Sequence, residues 1–331
     1  MTWLKPSRVF ISGANGFIGR AVGDRYRQLG IDVCGMDMTA DSDRGIVAGD
    51  LRNPAGWAEY VAGCDLFVHC AAVVSMSADW SSYQAITVKG TRDAVAVAGV
   101  AGVRRFVHLS SIAAGGWCVP EGANERWPVV IGEEYRYGVA KAASEHVVLA
   151  AHASGEIECV IVRPGDVYGP GARVWIEMVL QMCRDDSLIL PDEGTGRFGP
   201  VYIDDLVDGI QLAAGCPEAR GEIFTLAGDE WTTAAEFIAY HRRWAGRTGP
   251  APTVGLDAAL RNASADGSRG EGGPDLVRLF ARQGTFTIDK ARALLGYAPR
   301  VSLAEGMRRS ETWLRETGAL GPSDVSGVPK L

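Results

Sequence analysis

Short apolar runs alternate with segments of helical length from residue 8 to about residue 165, and this alternation constrains the fold more than any other feature of the sequence. The runs have the length of strands and lie at 8–12, 31–37, 65–72, 104–111 and 157–164. Strands separated by helices form parallel sheets that carry helices on both faces. The sequence therefore predicts an α/β fold built on a doubly wound parallel sheet.

The second half of the chain has a different texture, because helix and strand signals mix there without regular alternation. We therefore predict a sheet domain over residues 1–165. Residues 166–331 are expected to form mainly a smaller C-terminal α/β substrate-binding lobe, partly interleaved with the sheet. The polar, glycine-rich segment NASADGSRGEGG (262–273) predicts a mobile loop. Residues 317–331 are expected to be a frayed tail.

Composition and charge argue against several classes of protein. A net charge of −7 and the lack of a basic run indicate a protein that does not bind nucleic acid. The sequence has no stretch of about 18 uncharged apolar residues, so we expect no membrane span. The N-terminal residues enter a strand pattern directly, which predicts no signal peptide. These features favour a cytoplasmic protein.

The seven cysteines and five histidines show no metal-binding pattern. The cysteines are scattered and form no C-x-x-C, which predicts buried thiols in a reducing compartment. His69 and His108 each lie near the end of an apolar run, where a structural role is the preferred interpretation. We therefore expect no metal site.

The segment ISGANGFIG places Gly13, Gly16 and Gly19 between the first strand and the first helix. Glycine allows a tight turn and lets a pyrophosphate approach the backbone. The start of the helix offers free N–H groups and a partial positive charge to phosphates. A tight strand–helix junction without a ligand is the alternative. In this context the motif predicts a Rossmann-type dinucleotide site.

The cofactor preference rests on Asp37, which ends the second strand. A carboxylate there can accept hydrogen bonds from the ribose hydroxyls of adenosine. A 2′-phosphate would meet that negative charge, and the nearest arginine after it is Arg44. The sequence therefore favours NAD over NADP.

The segment YRYGVAK contains one of only five lysines, Lys141, four residues after Tyr137. Residues i and i+4 share a helix face, so both side chains can point into one site. Free tyrosine has a pKa of about 10, and a nearby ammonium would lower that pKa and make the phenol a better proton shuttle. Tyr135 cannot replace Tyr137, because Val139 occupies the matching position. A chance spacing on one helix is the alternative.

A third polar group follows the apolar run at 104–111, at the end of a strand where open α/β sheets bind ligands. Ser111 is the candidate for polarising the reacting carbonyl or alcohol, with Ser110 in reserve. A serine at a strand end is more often a turn or cap residue. The order of glycine turn, serine and Tyr–Lys pair along one wound sheet favours the catalytic interpretation.

Together these motifs resemble those of the extended short-chain dehydrogenases/reductases. That family includes nucleotide-sugar epimerases and dehydratases, 3β-hydroxysteroid dehydrogenases and flavonol-type reductases. The resemblance covers about residues 8–315 and is specific for the fold and cofactor but not for the substrate. It rests on GANGFIG, Asp37, GDL (49–51), HCAA (69–72), LSS (109–111), YGVAK, RPGDVYGPG, VYIDDLVDGI and the ending LGYAPRVSLAEGMRRSETWL.

The resemblance implies a role for each matching position. Ser111, Tyr137 and Lys141 would be the catalytic triad. Asp50 and Leu51 would contact adenine. The NAD-binding set would be Gly13, Asn15, Gly16, Phe17, Ile18, Gly19, Asp37, Asp50, Leu51, Cys70, Ala71, Ala72, Tyr137, Lys141, Arg163 and Pro164, with the last two at the nicotinamide end. The family usually has asparagine at the position of Thr87, so the role of that side chain is open.

The residues after Ser111 narrow the chemistry. A sugar 4,6-dehydratase needs an acid and a base beside this serine, and relatives of that type look like S/T-D-E there. Ile112 and Ala113 cannot move a proton, so we set this reaction aside. A nucleotide-sugar 4-epimerase needs only a hydride cycle and stays open.

Other positions favour the steroid- and flavonol-type branch over the epimerases. Asp166 stands where epimerases often have asparagine, and its charge would repel a diphosphate unless it were protonated or paired. Phe198, with Arg197 beside it, falls where those enzymes have an arginine. Trp117 and Trp175 lie in segments expected to border the substrate, with ordinary core packing as the alternative.

We therefore predict an NAD-dependent dehydrogenase or reductase that acts on a secondary alcohol or ketone, sterol-like or polycyclic in character. The alternatives are a nucleotide-sugar 4-epimerase and a non-catalytic relative that only binds the dinucleotide. The helices at 81–102 and 137–154 carry alanine and valine on more than one face. The resemblance implies a homodimer through these helices, and a monomer in which they merely cover the sheet is the alternative.

Overall fold

A computed structural model of the protein describes residues 4–75, 78–132, 135–265 and 273–321. The strands are β1 (Arg8–Ser12), β2 (Asp32–Asp37), β3 (Ile46–Ala48), β4 (Leu66–His69), β5 (Arg105–Leu109), β6 (Glu158–Pro164), β7 (Asp166–Tyr168), β8 (Leu190–Pro191), β9 (Arg197–Phe198), β10 (Pro200–Tyr202), β11 (Ile223–Leu226), β12 (Thr232–Thr233) and β13 (Thr253–Val254).

The α-helices surround these strands in chain order. They are α1 (Phe17–Gln28), α2 (Trp80–Ser82), α3 (Gly90–Val100), α4 (Arg136–Ala153), α5 (Val179–Arg184), α6 (Ile203–Gly215), α7 (Ala234–Trp244), α8 (Leu256–Ala265), α9 (Pro274–Phe280), α10 (Asp289–Leu295) and α11 (Leu303–Glu316). A π-helical stretch, Tyr83–Lys89, joins α2 to α3, and a second one, Arg173–Met178, leads into α5.

The central sheet has seven parallel strands in the order β11-β6-β5-β4-β1-β2-β3. The predicted α/β fold with a Rossmann-type doubly wound parallel sheet is thus confirmed. From β1 the chain adds β2 and β3 towards one edge of the sheet. It then returns to the other side of β1 and adds β4, β5, β6 and β11 towards the opposite edge. This reversal beside β1 opens a crevice at the carboxyl ends of the strands, where such sheets bind ligands.

Alternate residues of each buried strand supply the two faces of the sheet. On one face Phe10, Phe67 and Phe106 stack across three neighbouring strands, with ring centroids 4.8 Å and 5.0 Å apart. They belong to a buried cluster with side chains of α3 and α4. The other face contributes Val9 and Ile11 to a cluster that includes α1 and α6. The sheet is thus covered by helices on both faces. The small alanine and valine side chains of these helices let them pack closely on it.

The second half of the chain is interleaved with the sheet. β11 forms its edge by pairing with β6, and α6 packs against α1. The remaining strands form two-stranded pairs, β10 with β7, β12 with β9 and β13 with β8. The division at residue 165 stays a prediction.

The segment predicted as a mobile loop (262–273) is partly helical. Residues 262–265 belong to α8, and residue 273 caps α9. Residues 266–272 of this segment and residues 322–331 of the predicted tail lie outside the described residues. Helical spacing of apolar residues in LDAALRNASA continues beyond the point where polar residues begin to dominate, which explains the wrong boundary.

Substitution of Gly35 tests the close packing of β1 and β2. A Cβ atom at Gly35 would lie 2.3 Å from the Ile11 carbonyl oxygen. We expect Gly35→Ala to lower the free energy of unfolding by about 3 kcal/mol, because the crowded backbone must move. Urea denaturation measures this change. Gly255→Ala is the control, since nothing lies within 4 Å of its added Cβ. Equal denaturation midpoints for the two variants would contradict the packing.

Candidate active site

The glycine turn joins β1 to α1 by close backbone contacts. Gly13 has a φ of +71°, and a Cβ there would lie 2.8 Å from the Ala71 amide nitrogen. A Cβ at Gly19 would lie 2.1 Å from the Gly13 carbonyl oxygen. The left-handed backbone favours glycine at the first position, and the tight turn excludes a side chain at the last. The turn therefore brings the end of β4 against the start of α1.

The residues of this turn fit a pyrophosphate. Gly16 is the N-cap of α1 and brings no side chain to cap the helix, and the first turn has no acidic residue. Phe17 and Ile18 begin the helix, where backbone N–H groups are directed at an incoming anion. The Asn15 side-chain oxygen is buried without a hydrogen-bond partner among the described residues, while its amide donates to the Thr39 carbonyl oxygen at 2.7 Å. A polar ligand is therefore the natural occupant of this turn.

Asp37 lies at the carboxyl end of β2, beside the turn. Its carboxylate accepts hydrogen bonds from the backbone N–H groups of Asn15, at 2.9 Å, and Met38, at 2.7 Å. These bonds hold the carboxylate at the mouth of the crevice. The ribose hydroxyls of an adenosine beside the turn would donate hydrogen bonds to this carboxylate, whereas a 2′-phosphate would be repelled by its negative charge.

The expected adenine contacts differ from each other in exposure. The Asp50 carboxylate is held by Arg52 in an ion pair, and this hydrogen bonding lowers the pKa of Asp50. Leu51 is buried and packs closely against Gly90 of α3. A Cβ atom added to Gly90 would lie 2.8 Å from the Leu51 Cβ atom. The Leu51 side chain thus fastens the segment after β3 to the core.

A buried hydrogen-bond chain supports the end of β4. His69 Nδ1 lies 2.6 Å from Ser12 Oγ, and its Nε2 lies 3.0 Å from Thr91 Oγ1. The Thr91 hydroxyl donates its hydrogen to the Thr87 carbonyl oxygen at 2.6 Å. In its contact with the imidazole Thr91 Oγ1 must therefore be the acceptor, and His69 Nε2 the donor. Burial lowers the pKa of His69 to about 3. The predicted structural role of His69 agrees with these contacts.

The loop after β4 is fixed next to this chain. The Cys70 N–H donates to the Ser12 carbonyl oxygen at 3.1 Å, and the Val73 N–H donates to Thr87 Oγ1 at 3.1 Å. Cys70, Ala71 and Ala72 are partly exposed at the crevice. Thr87, where the family usually has asparagine, therefore holds the loop that carries them. It lies in the π-helical stretch, a feature that is frequent at functional sites.

The start of α4 is pressed onto the turn that follows β5. A Cβ at Gly138 would lie 2.6 Å from the Ala113 carbonyl oxygen and 2.4 Å from the Tyr135 ring. This contact brings Tyr137 beside Ser111, whose hydroxyl acts to lower the pKa of the phenol. Ser111 Oγ also accepts from the Ala113 N–H at 3.1 Å. The serine and tyrosine predicted to act together are thus neighbours.

The charge state of Tyr137 corrects one expectation. The pKa of Tyr137 is raised, because its burial outweighs the hydrogen bond from Ser111, and the Asp166 carboxylate raises it further. The prediction that Lys141 lowers the pKa of Tyr137 is therefore wrong. Lys141 Nζ instead donates to the Leu109 carbonyl oxygen at 2.8 Å, and burial lowers the pKa of Lys141 to about 8. The phenol is therefore protonated at neutral pH.

Ser110 and Arg163 are engaged away from the crevice. Both are buried and bind the Glu145 carboxylate, Ser110 Oγ at 2.5 Å and Arg163 through two nitrogens at 2.8 Å and 2.6 Å. Ser110 is therefore not placed to replace Ser111. The Arg163 side chain is not placed to touch a cofactor, whereas Pro164, also buried, ends β6 at the crevice. No spacing signal pointed to Glu145, since its partners lie 35 and 18 residues away.

Asp166 is also paired, which corrects the argument from its charge. Its carboxylate forms a buried ion pair with Arg282 and accepts the Gly199 N–H at 2.9 Å. The Arg282 guanidinium lies over the rings of Phe198 and Trp231, 5.5 Å and 5.7 Å from their centroids. The negative charge that would repel a diphosphate is thus neutralised. Sequence reasoning missed Arg282, because 116 residues separate it from its partner.

The two candidate substrate tryptophans differ. Trp117 is partly buried and stacks on Tyr135, with ring centroids 3.7 Å apart, and its indole N–H has no partner among the described residues. Trp175 packs edge-on against Phe198 and Phe237 at 5.0 Å and 6.0 Å. Trp175 thus takes the core-packing alternative. A substrate contact for Trp117 stays a prediction.

The described part of the chain has no group of three or more histidine, cysteine, aspartate or glutamate side chains that could hold a metal ion. Within the same ranges no helix is long and apolar enough to cross a membrane. All seven cysteines are free. Cys118 is exposed and Cys70 is partly exposed, so the prediction of buried thiols is wrong for these two. Cys70 directly follows β4, and Cys118 lies in the connection between β5 and α4, where loops run at the surface.

Comparisons with known proteins show a family and several relatives to which the chain is similar. A family model described as "NAD dependent epimerase/dehydratase family" matches residues 9–227. The chain is 31% identical to an uncharacterised protein of Sinorhizobium fredii over 82% of this chain and 80% of that protein. It is 27% identical to a 2-alkyl-3-oxoalkanoate reductase of Shewanella oneidensis, covering 92% and 86%. It is also 27% identical to a decarboxylating sterol-4-alpha-carboxylate 3-dehydrogenase of Saccharomyces cerevisiae, covering 81% and 82%.

Solved structures share the fold at lower identity. An epimerase of Methanothermobacter thermautotrophicus superposes with a TM-score of 0.77 at 20% identity, covering 95% of this chain and 93% of that one. MoeE5 in complex with UDP-glucuronic acid and NAD superposes with a TM-score of 0.76 at 24% identity, covering 94% and 99%. At these identities the likeness concerns the fold.

Asp37 is expected to set the cofactor preference. Asp37→Asn keeps an acceptor for the Asn15 N–H but removes the charge that faces the ribose. We expect the Kd for NAD to rise about tenfold and that for NADP to fall, because a charge-assisted hydrogen bond and a repulsion are lost together. Isothermal titration with both cofactors measures the change. Asp43→Asn, an exposed carboxylate on the next segment, is the control. Unchanged affinities in Asp37→Asn would contradict the assignment.

The buried pair of Asp166 and Arg282 is expected to support the fold. Asp166→Asn leaves the buried guanidinium without its counter-charge, so we expect a loss of about 3–5 kcal/mol in the free energy of unfolding. Asp32→Asn is the matched control, because Asp32 pairs with Arg8 at the surface and is worth less than about 1 kcal/mol. Denaturant titration compares the two. A small, equal effect of both substitutions would argue against a functioning buried pair.

Proposed function

The chain belongs to the NAD-dependent epimerase/dehydratase family and uses NAD, and we propose that it is a dehydrogenase or reductase of a secondary alcohol or ketone with Tyr137 as general acid and base. The observation that carries this proposal is the phenol of Tyr137, which lies beside Ser111 at the carboxyl end of β5, so that the serine hydroxyl acts on its pKa, with Lys141 one helical turn further on. A proton donor held beside a polarising hydroxyl is what carbonyl reduction requires.

NAD supplies a carbon that accepts or donates hydride when it is bound. In reduction, Ser111 hydrogen-bonds the substrate oxygen and Tyr137 donates its proton to that oxygen. The raised pKa of Tyr137 keeps this proton in place at neutral pH. Lys141 Nζ is held by the Leu109 carbonyl oxygen and lies on the same helix face as the Tyr137 phenol. In oxidation the proton returns to Tyr137 from the alcohol.

The names of two relatives support a narrower substrate class. A 2-alkyl-3-oxoalkanoate has its ketone on the carbon next to the one that bears the carboxylate. A sterol-4-carboxylate that is oxidised at position 3 has the same relation between the reacting carbon and the carboxylate. We propose that this enzyme interconverts an apolar 3-oxo acid and its 3-hydroxy acid. A sterol-like or polycyclic body is one form of that class, and a long alkyl chain is another.

A nucleotide-sugar 4-epimerase is the second candidate. The neutralised charge of Asp166 favours it, because the repulsion expected for a diphosphate is removed. Phe198, fully buried, offers no cation in place of the arginine expected of such enzymes. Ile112 and Ala113 still leave no acid or base for dehydration. The dehydrogenase therefore stays the preferred proposal.

The substrate class is tested by turnover with NAD. A rise in absorbance at the NADH band with 3-hydroxy acids, and its fall when NADH meets 2-alkyl-3-oxoalkanoates, is the expected result. Sterol and aromatic alcohols extend the comparison. UDP-glucose and UDP-glucuronic acid are incubated in parallel, and their products are separated by chromatography. Conversion of a UDP-sugar without net NADH, and no reaction of the acids, would establish the epimerase instead.

Tyr137→Phe tests the general acid. We expect kcat to fall by about 10³-fold or more, because no other proton donor is placed at the substrate oxygen. NAD binding is expected to stay within about threefold. Tyr135→Phe is the matched control, since it removes a phenol two residues earlier and keeps the ring that stacks on Trp117. Loss of turnover in the control alone would exchange the roles of the two tyrosines, and full activity of Tyr137→Phe would reject the proposed mechanism.

Two further proposals concern the environment of the enzyme. The homodimer through helices 81–102 and 137–154 stays a prediction, as does a cytoplasmic location. α3 and α4 pack side by side on one face of the sheet, and Val100 at the end of α3 is 93% exposed. Sedimentation equilibrium distinguishes a dimer from a monomer.

A further inference from the structure

The buried charge of Glu145 lies on the same helix face as the reacting pair. Glu145 follows Lys141 by one turn of α4 and Tyr137 by two turns, so the three side chains form one row. The side chains of Glu145 and Arg163 are only 2% and 3% exposed. A charge pair buried so deeply is costly unless its hydrogen bonds are complete. Because this pair lies beside Tyr137 and Lys141, it can affect both the position and the charge of those two groups.

Three bonds tie the Glu145 carboxylate to the ends of two strands. Ser110, directly after β5, donates to Oε1 at 2.5 Å. Arg163, near the end of β6, donates through Nε to Oε1 at 2.8 Å and through Nη2 to Oε2 at 2.6 Å. The Ser110 N–H also donates to the Val162 carbonyl oxygen at 2.7 Å, which joins the two strands. A shift of α4 along its axis would break all three bonds.

We propose that Glu145 is a positioning residue, which holds α4 so that Tyr137 meets Ser111 and which supplies the negative charge facing Lys141. This inference rests on the proposed function, because Tyr137 and Lys141 are the groups that it positions. Ser110 and Arg163 are the anchors through which it acts. None of these three side chains needs to touch substrate or cofactor.

The surroundings of Lys141 support the electrostatic part. The groups that face it are Cys70 and His69 at the end of β4, His108 on β5, and Glu145 on its own helix. Burial lowers the pKa of both histidines and raises the pKa of the Cys70 thiol to about 12, so these three groups are neutral. Cys70 and then Glu145 oppose the lowering of the Lys141 pKa by burial, and of these two Glu145 belongs to a buried ion pair with Arg163.

The sign of the pH effect follows from these contacts. The folded-state pKa of Lys141 is about 8, below that of free lysine, so the ammonium is lost as the pH rises through this range. Removing the Glu145 charge lowers the pKa further. The ammonium, and any turnover that needs it, would then be lost at a lower pH.

The experiment separates charge from position with three variants. Glu145→Gln removes the negative charge and keeps the length of the side chain and an acceptor for Ser110. Glu145→Asp keeps the charge but shortens the reach to Ser110 and Arg163. Ser110→Ala removes one anchor and keeps the ion pair. Val148→Ala, a buried truncation on the same helix, controls for a general loss of stability.

The first readout needs no substrate. The sequence has only five lysines, so protein labelled with ¹³C at lysine Cε has few signals, and Lys141→Met identifies one of them. We expect the Lys141 signal of the wild type to titrate near pH 8. In Glu145→Gln its pKa falls by about one unit, while the other four lysines do not change. An unshifted Lys141 signal overturns the electrostatic role.

The second readout is the pH profile of kcat for reduction of a 2-alkyl-3-oxoalkanoate by NADH. The high-pH limb moves down by about one unit in Glu145→Gln and stays in place in Glu145→Asp and Ser110→Ala. In these two variants kcat falls about tenfold to a hundredfold, with the Kd for NADH within threefold, because the helix is misplaced. Val148→Ala keeps both the limb and kcat within about threefold.

The outcomes distinguish this inference from the proposed function. Full turnover in Tyr137→Phe rejects the function, and the lysine titration still tests the Glu145 charge. Loss of turnover in Tyr137→Phe, with wild-type kcat in Glu145→Asp and Ser110→Ala, overturns the positioning role alone. If Glu145→Gln does not fold, Glu145→Asp and Ser110→Ala decide the question by the same criterion.

Discussion

The whole site depends on the pairing of β1 with β2 on one side and with β4 on the other, in parallel register. Because the chain leaves β1 in one direction and returns to its other side, the helices after β1 and β4 diverge at the carboxyl edge of the sheet. The crevice between them is lined by backbone, since Gly13 lies against Ala71 with no room for a side chain. An extended dinucleotide requires such a backbone-lined groove.

Polar groups buried behind this crevice hold its walls in place. His69, Ser12 and Thr91 form a chain that supports β4, and Glu145 with Arg163 and Ser110 supports the helix that carries the reacting phenol. The side chains of these two sets are hydrogen-bonded to one another, which offsets the cost of removing them from water. Rigid walls of this kind place Ser111 and Tyr137 before any substrate arrives, and preorganised donors favour catalysis.

The burial that builds the site also changes its chemistry. Desolvation raises the pKa of Tyr137 and lowers that of Lys141, so the two groups are closer in acidity than they are in water. The lysine keeps its proton at neutral pH with the help of a carboxylate one turn away. The phenol is thereby a neutral donor at rest. This charge state suits reduction of a ketone, the direction implied by the name of the Shewanella oneidensis relative.

The sequence by itself determined the local features of this protein. Strand-length apolar runs predicted the sheet, and glycine spacing, Asp37 and the Tyr137–Lys141 spacing predicted where a dinucleotide and a proton donor lie, because these patterns depend on residues only a few positions apart. It did not reveal the pairing of Asp166 with Arg282 or of Glu145 with Arg163 and Ser110. Only the tertiary structure decided these contacts and the sign of the Tyr137 pKa shift. They depend on burial and on partners brought together from distant parts of the chain, and neither leaves a local spacing to be recognised.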